Sequence, residues 1–126
     1  MNPISIDLFD TGIHLRAGGN VTAGPRVMDA GTGGWQVAAY HLENNADAHA
    51  DHWEIHPEAE ELVAVLAGSC QLYFRPQSPG EAETAIALSA GHAVIVPRGR
   101  WHRLELDGPT DTMSITLRDG SRLEKR

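Results

Sequence analysis

The most informative part of the sequence is HWEIHPEAEE, residues 52–61. Histidine and glutamate alternate here with large apolar residues as far as Pro57. Successive side chains of a strand point to opposite faces, so Glu54 and His56 share one face if the segment is extended. Pro57 favours an extended His56, and the HExxH pattern of helical zinc sites is absent. We therefore predict a strand rather than a helix that would pair His52 with His56.

A turn at residues 57–60 separates this strand from the next one, which Glu61 begins. A short turn brings the end of one strand close to the start of its neighbour. Glu61 can therefore approach Glu54 and His56 across the pair of strands. Imidazole nitrogens and carboxylate oxygens are common ligands of divalent metals, so three candidate metal ligands converge on one point.

A second informative segment is GHAVIVPRGRWH, residues 91–102. A β-prone run ends there at Pro97, and after a proline–glycine turn the chain re-enters a strand that carries His102. Such a turn fixes the direction in which the His102 side chain points.

The rest of the chain consists of short β-prone segments divided by turn signals. Glycine-rich stretches at residues 18–20 and 31–34 are too irregular for a helix, and neither has the pattern of a phosphate-binding loop. Short strands at near-regular spacing indicate a closed sandwich or barrel, with helix limited to a turn or two. The predicted strands are residues 35–42, 49–56, 62–66, 70–74, 84–88, 92–96, 101–106 and 112–117.

The chain has 126 residues, the length of one domain. Apolar residues make up 41% and charged residues 21%, which excludes disorder throughout. The single cysteine, Cys70, cannot form an internal disulfide and is expected to be a small buried residue. No apolar run approaches the roughly 20 residues that cross a bilayer, and the N-terminus lacks a signal-peptide pattern. We expect a cytoplasmic protein that does not bind membranes.

Charge is distributed unevenly along the chain. The formal net charge is −7, yet no lysine or arginine occurs between Arg26 and Arg75. The same interval holds eight acidic residues and four of the seven histidines. Acids and imidazoles without basic partners suit a cation better than a phosphate backbone. Bases elsewhere are mixed with acids, so no nucleic-acid partner is expected.

The two informative segments resemble the two sequence motifs of the cupin family. ExHx4Ex6G at residues 54–68 is similar to the first motif, HxHx(3,4)Ex(6)G, with Glu54 at the position of the first histidine. Gx5PxGx2H at residues 91–102 is similar to the second motif, Gx5PxGx2Hx3N, with Leu106 at the final asparagine position. The spacing between the motifs suits a small single-domain cupin.

The resemblance implies an all-β fold, the double-stranded β-helix or jelly roll, with the cupin barrel at residues 35–117. Residues 1–34 would then be an N-terminal arm and a glycine-rich loop that pack on the barrel, and residues 118–126 a polar C-terminal tail. Small cupins are often homodimers. Trp53 and Trp101 lie on the strand faces opposite the histidines and glutamates, so we expect them outside the barrel, where they can contribute to a dimer interface.

Cupins usually hold a divalent metal ion through residues of both motifs. Carried over to this sequence, the ligands are Glu54, His56, Glu61 and His102. Two nitrogen and two oxygen donors form a harder set than three histidines and one glutamate, which favours iron, manganese or zinc over copper and also admits nickel and cobalt. Without metal, repulsion between the two carboxylates is expected to keep one of them protonated to higher pH.

Three alternatives for this site remain open from the sequence. His52 lies on the same predicted face as Glu54 and can replace it as a ligand. Glu60 can replace Glu61 because the turn length is not fixed, although the motif count favours Glu61. Glu54 can also face solvent or pair with Arg100, which would leave the site without a metal.

Three functions follow from these observations, none with an assigned catalytic residue. A metal-dependent enzyme, a dioxygenase or an isomerase, would act on a small organic acid, sugar or aromatic compound. A binding or sensing cupin would hold such a molecule without turning it over. A structural cupin would contain no metal.

Overall fold

The computed structural model describes residues 3–27 and 34–126, and this part of the chain forms eleven β-strands. Ala17–Gly19 form a short 3-10 turn. Among these residues, no helix has the length and apolar composition needed to span a membrane. The strands are β1 (Gly12–Leu15), β2 (Val21–Gly24), β3 (Trp35–Leu42), β4 (His52–Ile55), β5 (Glu61–Ala67), β6 (Ser69–Phe74), β7 (Thr84–Ser89), β8 (Ala93–Val96), β9 (His102–Leu106), β10 (Thr110–Leu117) and β11 (Arg122–Lys125).

The strands form two antiparallel sheets. The larger sheet has the order β2-β1-β3-β10-β5-β8, and the smaller one has the order β11-β4-β9-β6-β7. Strands far apart in sequence are neighbours, since β3 pairs with β10 along its whole length. Buried side chains from both sheets form one core, as in a jelly roll. The predicted all-β class and jelly-roll architecture are confirmed.

All eight predicted strands are present, with changes at their ends. The largest change concerns residues 49–56, of which only His52–Ile55 form β4. The preceding residues form turns, and the His52 N–H donates to the His49 carbonyl at 2.9 Å. His49 has a φ of 52°, which lies outside the β region, so the strand begins only after it.

Three strands lie outside the predicted set. β1 pairs with β3 and β2 pairs with β1, so residues 12–24 extend the larger sheet. β11 pairs with β4, although residues 118–126 were expected to be a polar tail. All four residues of β11 are exposed, and an edge strand of this kind shows no apolar alternation by which it can be predicted. Residues 31–33 of the second glycine-rich stretch lie outside the described residues. The division of the chain into an N-terminal arm, a barrel and a C-terminal tail stays a prediction.

The core lies between the two sheets, on the side of β5 to β8. Cys70 is buried within it, as predicted, and burial raises the pKa of the Cys70 thiol to about 11. The core therefore fills one part of the barrel interior and leaves space next to β3, β4 and β10. Its buried members are Val63, Val65, Cys70, Leu72, Phe74, Leu88 and Val96.

Gly68 connects β5 to β6 with a φ of 82°, and a Cβ atom there would meet the Pro109 carbonyl oxygen and Thr110. We expect Gly68→Ala to lower the free energy of unfolding by about 2–3 kcal/mol, because backbone strain and a steric clash add up. Gly91→Ala is the matched control, since Gly91 has a φ of 85° but open space around it. Urea denaturation of both variants measures the difference, and equal losses would contradict the packing argument.

Candidate metal centre

Four side chains with metal-binding atoms meet inside the barrel. Glu54 lies in β4 and His56 directly follows that strand, while Glu61 begins β5 and His102 begins β9. Glu54 and His102 are paired across β4 and β9. Each residue contributes one candidate ligand atom, and the four atoms lie within 4.8 Å of one another. The structure thus brings together all four residues of the predicted ligand set.

Local backbone contacts explain why these residues meet. The Gly99 N–H donates to the His56 carbonyl at 3.0 Å, which ties the proline–glycine turn to the end of β4. The chain therefore re-enters as β9 beside Glu54. Glu61 is buried and Glu60 is exposed, so the turn after Pro57 delivers Glu61 to the interior.

The shortest contacts join the imidazoles to the carboxylates. His56 Nε2 lies 3.1 Å from Glu54 Oε1 and 3.2 Å from Glu61 Oε2. His102 Nε2 lies 3.0 Å from Glu61 Oε1 and 3.8 Å from Glu54 Oε1. Both Nε2 atoms and at least one oxygen of each carboxylate therefore face one common point.

A second layer of side chains and backbone orients these four residues. The His102 Nδ1–H donates to the Arg100 carbonyl at 2.9 Å, so Nε2 is the ring nitrogen that faces the centre. With a proton, Nε2 donates to Glu61 Oε1 at 3.0 Å, and without one it can ligate a metal ion. His56 Nδ1 is bonded to Ser121 Oγ at 2.7 Å. No pattern in the sequence identifies Ser121 as a residue of the site.

The two carboxylates have second-layer partners as well. The Thr116 hydroxyl donates to Glu61 Oε2 at 2.5 Å, and Arg118 Nη1 lies 3.5 Å from Glu54 Oε2. Both partners come from β10 or the residue after it. The only signal in the sequence is the alternation of polar residues along β10, which by itself also fits a solvent-facing strand.

Protons in this cluster reside on histidine rather than on a carboxylate. Burial opposes a charged His56, but hydrogen bonds to Glu54 and Glu61 outweigh it and raise the pKa of His56 to about 9. Burial also opposes ionisation of Glu61, yet hydrogen bonds from His102 and His56 hold its pKa far below the ordinary value. The pKa of Glu54 is lowered too, because His56 and the charge of Arg118 outweigh burial and repulsion from Glu61. The expectation that one carboxylate keeps its proton is therefore wrong.

The structure locates the residues of the alternatives that the sequence left open. His52 lies outside the group of four, with its Nδ1 2.8 Å from Asp51 Oδ1. The Arg100 guanidinium stacks on the ring of Phe74, with its central carbon 4.9 Å from the ring centre. Glu54 faces the interior and has Arg118, not Arg100, as its cationic neighbour.

Trp53 is not available as an exposed interface residue. It is only 5% exposed, because the Arg103 guanidinium stacks over its ring at 5.2 Å. Trp101 is half-buried, with the guanidinium of Arg75 5.5 Å from its ring centre. The expectation that both rings contribute an open surface to a dimer is wrong for Trp53.

Comparison with known proteins identifies the family. The family model of the cupin domain matches residues 40–117, more than half of the chain. The chain belongs to the cupin family. No curated protein matches this cupin at a significant level.

Solved structures resemble this cupin in fold. A cupin-2 domain containing protein from Shewanella frigidimarina is 24% identical with a TM-score of 0.50, over 82% of this chain and 80% of that one. An oxalate oxidase is 19% identical with a TM-score of 0.52, over 69% of this chain and 44% of that one. Hydroquinone 1,2-dioxygenase PnpCD, solved with Cd2+ and 4-hydroxybenzonitrile, is 19% identical with a TM-score of 0.50, over 71% of this chain and 60% of that one. This cupin thus spans less than two thirds of the length of either enzyme.

A cavity of about 290 Å³ adjoins three of the four residues in this cupin, namely Glu54, Glu61 and His102. It has room for roughly ten water molecules, taking the volume of a water in the liquid. The other polar and charged residues that line it are Tyr40, Asp47, His49, His52, Arg103, Thr112, Ser114 and Arg118. Apolar side chains that line it are Leu42, Val63, Leu104 and Leu123.

The donor set fits a divalent metal ion. Ligand atoms that share one ion at about 2.0–2.2 Å are at most about 4.4 Å apart, close to the spread of 4.8 Å seen here. His56 and Glu61 are buried, and the Arg100 carbonyl orients His102 so that Nε2 faces the other ligand atoms. Glu54, His56, Glu61 and His102 are therefore the residues that would hold the ion.

Proposed function

We propose that this cupin binds a divalent metal ion through Glu54, His56, Glu61 and His102 and uses it to transform a small organic molecule. The observation that carries the proposal is the convergence of four ligand atoms beside a cavity of ligand size. A divalent metal supplies Lewis-acid chemistry, and iron also supplies a position for dioxygen. The reaction classes that fit are those of a dioxygenase or an isomerase.

In this proposal, other residues of the chain orient the metal ligands and line the space for the bound molecule. The Arg100 carbonyl fixes the tautomer of His102, and the Thr116 hydroxyl holds one oxygen of Glu61. Val63 and Leu104 provide an apolar wall that keeps water away from a bound molecule. Iron, manganese, zinc and nickel are the metals that suit two imidazoles and two carboxylates.

Structurally similar proteins support a divalent metal. Hydroquinone 1,2-dioxygenase was solved with Cd2+, and Bacillus subtilis oxalate decarboxylase, 17% identical with a TM-score of 0.53, has Mn(II) centres. The likeness to either enzyme is one of fold, so the metal of this cupin has to be measured. Elemental analysis of protein purified without added metal makes that measurement. Near-stoichiometric iron, manganese or nickel supports an enzyme, and no uptake after reconstitution overturns the proposal.

Metal binding should release at least one proton at neutral pH. His56 holds a proton below its pKa of about 9, and only the neutral imidazole ligates a metal. The pKa values of Glu54 and Glu61 are lowered, so these groups are already ionised. The apparent affinity for Zn2+ should therefore rise at least tenfold per pH unit between pH 6 and pH 8. Calorimetry in buffers of different ionisation enthalpy counts the proton, and binding without release would indicate surface carboxylates instead.

A metal-free structural role is the second candidate, because the four groups also satisfy one another. With a proton on His56, its ring pairs with both carboxylates, and His102 pairs with Glu61. A non-catalytic binding or sensing cupin would use the same cavity. Protein that binds Zn2+ and a cavity ligand but shows no turnover would favour the sensing role, and protein that takes up no metal would favour the structural one.

We propose further that this cupin forms a homodimer through the outer face of its larger sheet. Residues facing away from the core form an apolar row across five strands, listed in order as Ile13, Val37, Ile115, Leu62 and Ile95. Five strands at a spacing of about 4.8 Å and a length of about 20 Å give a face of roughly 500 Å². Two such faces bury about 1,000 Å², the lower limit for a specific interface.

The location of the protein in the cytoplasm stays a prediction, which cell fractionation tests.

Light scattering at micromolar concentration should give twice the chain mass of 13.6 kDa. Ile95→Glu should shift the protein to the monomer, because Ile95 is 62% exposed and the new charge would be buried in the dimer. Ile86→Glu is the matched control, since Ile86 is 41% exposed on the smaller sheet. A monomeric wild type, or a dimer that Ile95→Glu leaves intact, contradicts this interface.

A further inference from the structure

His41 is a surface histidine whose ring lies between two carboxylates. Its Nδ1 is 2.6 Å from Asp111 Oδ1, and its Nε2 is 2.8 Å from Glu43 Oε2. Asp111 belongs to β10 and is paired with His41 across β3 and β10. Glu43 directly follows the end of β3. The ring therefore ties this pair of strands to residues 43–51, the segment that leads from β3 to β4.

Both contacts are hydrogen bonds only when the His41 ring carries two protons. An ionised carboxylate accepts hydrogen bonds and cannot donate, and a neutral imidazole has an N–H on only one of its nitrogens. The arrangement therefore requires the imidazolium. Hydrogen bonds to Asp111 and Glu43 accordingly raise the pKa of His41 above its ordinary value. Both bonds are present below that ordinary value, and one is lost as the pH rises through the raised pKa.

The charged groups in contact with the His41 ring favour its protonation. Asp111 faces the ring from β10 and Glu43 faces it from the segment after β3, with Asp47 bonded behind Glu43. β5 presents the uncharged Ala67 opposite Asp111. Arg26, a cation that packs on β3, stacks on an aromatic ring of that strand instead.

Glu43 connects the ring to the wall of the cavity. Its N–H donates to Asp47 Oδ2 at 2.9 Å, and Asp47 and the two residues after it line the cavity. The segment has a second anchor, because the Leu106 N–H donates to Asn45 Oδ1 at 2.7 Å, and an amide side chain does not titrate. Loss of the contact between His41 and Glu43 would therefore loosen this part of the wall without detaching it.

We propose that His41 is a proton-dependent latch for residues 43–51, which holds them in the cavity wall when its ring is charged and releases Glu43 when its ring is neutral. Glu43 is the partner released, because its side chain is 62% exposed and its contact is the longer one. The Asp111 side chain is 29% exposed and is kept opposite His41 by strand pairing. The latch lies outside the metal cluster, so it goes beyond the proposed function and operates without metal. Access to the cavity through this wall increases above neutral pH.

Nuclear magnetic resonance of the full chain without added metal tests the latch. His41 should titrate above the ordinary value of about 6.5. Hydrogen exchange, expressed as protection factors, should show that the Glu43 and Asp47 N–H groups are about threefold or more better protected at about pH 6 than at about pH 9. His41→Gln should remove this pH dependence and keep protection at the lower level, because a glutamine amide stays neutral and donates from one nitrogen only. His92→Gln is the matched control, since the exposed His92 contacts the Ser89 hydroxyl rather than a carboxylate.

Glu43→Gln is a second variant that leaves the His41 ring in place. It should lower the pKa of His41 towards the ordinary value and reduce protection of the Asp47 N–H at about pH 6, with an unchanged circular dichroism spectrum. A wild-type His41 pKa at or below the ordinary value overturns the latch, and so does equal protection at both pH values. A pH dependence that persists in His41→Gln also overturns it, because His49 or His52 would then be the titrating group. All these measurements are made without metal, so the proposed metal site stands or falls separately.

Discussion

His102→Ala should weaken Zn2+ binding by on the order of 10²–10³-fold, since four ligands share an apparent binding free energy of about 10–16 kcal/mol in structural zinc sites. His102 is buried, its tautomer is fixed by the Arg100 carbonyl, and its Nε2 faces Glu61 at 3.0 Å. Alanine removes one nitrogen donor and leaves no side chain that can replace it. Competition with a chelator of known affinity measures the loss.

The control for this variant is His92→Ala. His92 is exposed, and its Nδ1 lies 3.3 Å from Ser89 Oγ, so its removal deletes an imidazole without touching the cluster. His102→Ala also takes a hydrogen bond from the buried Glu61, which should cost about 1–3 kcal/mol of unfolding free energy in the metal-free protein. Circular dichroism therefore has to show a folded barrel in each variant. Unchanged zinc affinity in both His102→Ala and His56→Ala would place the metal elsewhere.

The sequence predicts those site residues whose positions depend on short-range geometry. Glu54 and His56 are two residues apart on an extended segment, so alternation alone puts them on one face. Glu61 follows a short turn, and the hydrogen bond that fixes His102 comes from a carbonyl two residues earlier. The same local rules locate eight of the strands. That the two motifs lie next to each other in space cannot be predicted from local geometry, and this prediction came from the resemblance to cupins.

The residues that support the site depend on long-range pairing instead. Ser121 is 65 residues from His56, Thr116 is 55 residues from Glu61, and Arg118 is 64 residues from Glu54. Their places follow from the register of β10 with β5 and from the pairing of β11 with β4. β10 also carries its polar residues inward, because the interior holds a polar site. A pattern of polar alternation in the sequence gives no information about which side is the interior.

The wrong expectation that one of the two carboxylates keeps its proton also arose because long-range contacts are not visible in the sequence. Two nearby carboxylates repel each other, and from the sequence this repulsion is the only visible interaction between Glu54 and Glu61. The structure adds His56, His102 and Arg118, whose contacts outweigh the repulsion. The pKa of a buried carboxyl depends on all charges that face it, and most of those arrive from other strands.

Glu54→Gln should weaken binding of Zn2+ and Mn2+ by about 10–100-fold, comparable to the loss of a group that supports a metal ligand. The amide keeps the shape of the side chain but removes the charge that offsets Arg118 and attracts the metal. Glu54→His should recover part of the affinity by adding a nitrogen donor. It should also raise the preference for Ni2+ over Mn2+, because imidazole suits nickel whereas carboxylate suits manganese.

Recovery in Glu54→His should stay incomplete, because the substitution also removes the ion pair between Glu54 and the buried Arg118. Glu60→Gln is the matched control, since Glu60 is an exposed glutamate next to Glu61 and loses the same charge. Parallel titrations of the three variants with Ni2+ and Mn2+ give the selectivity ratio directly. An unchanged ratio in Glu54→His, or a metal-loaded structure with His52 bonded and Glu54 turned outward, would show that the Glu54 carboxylate is not a ligand.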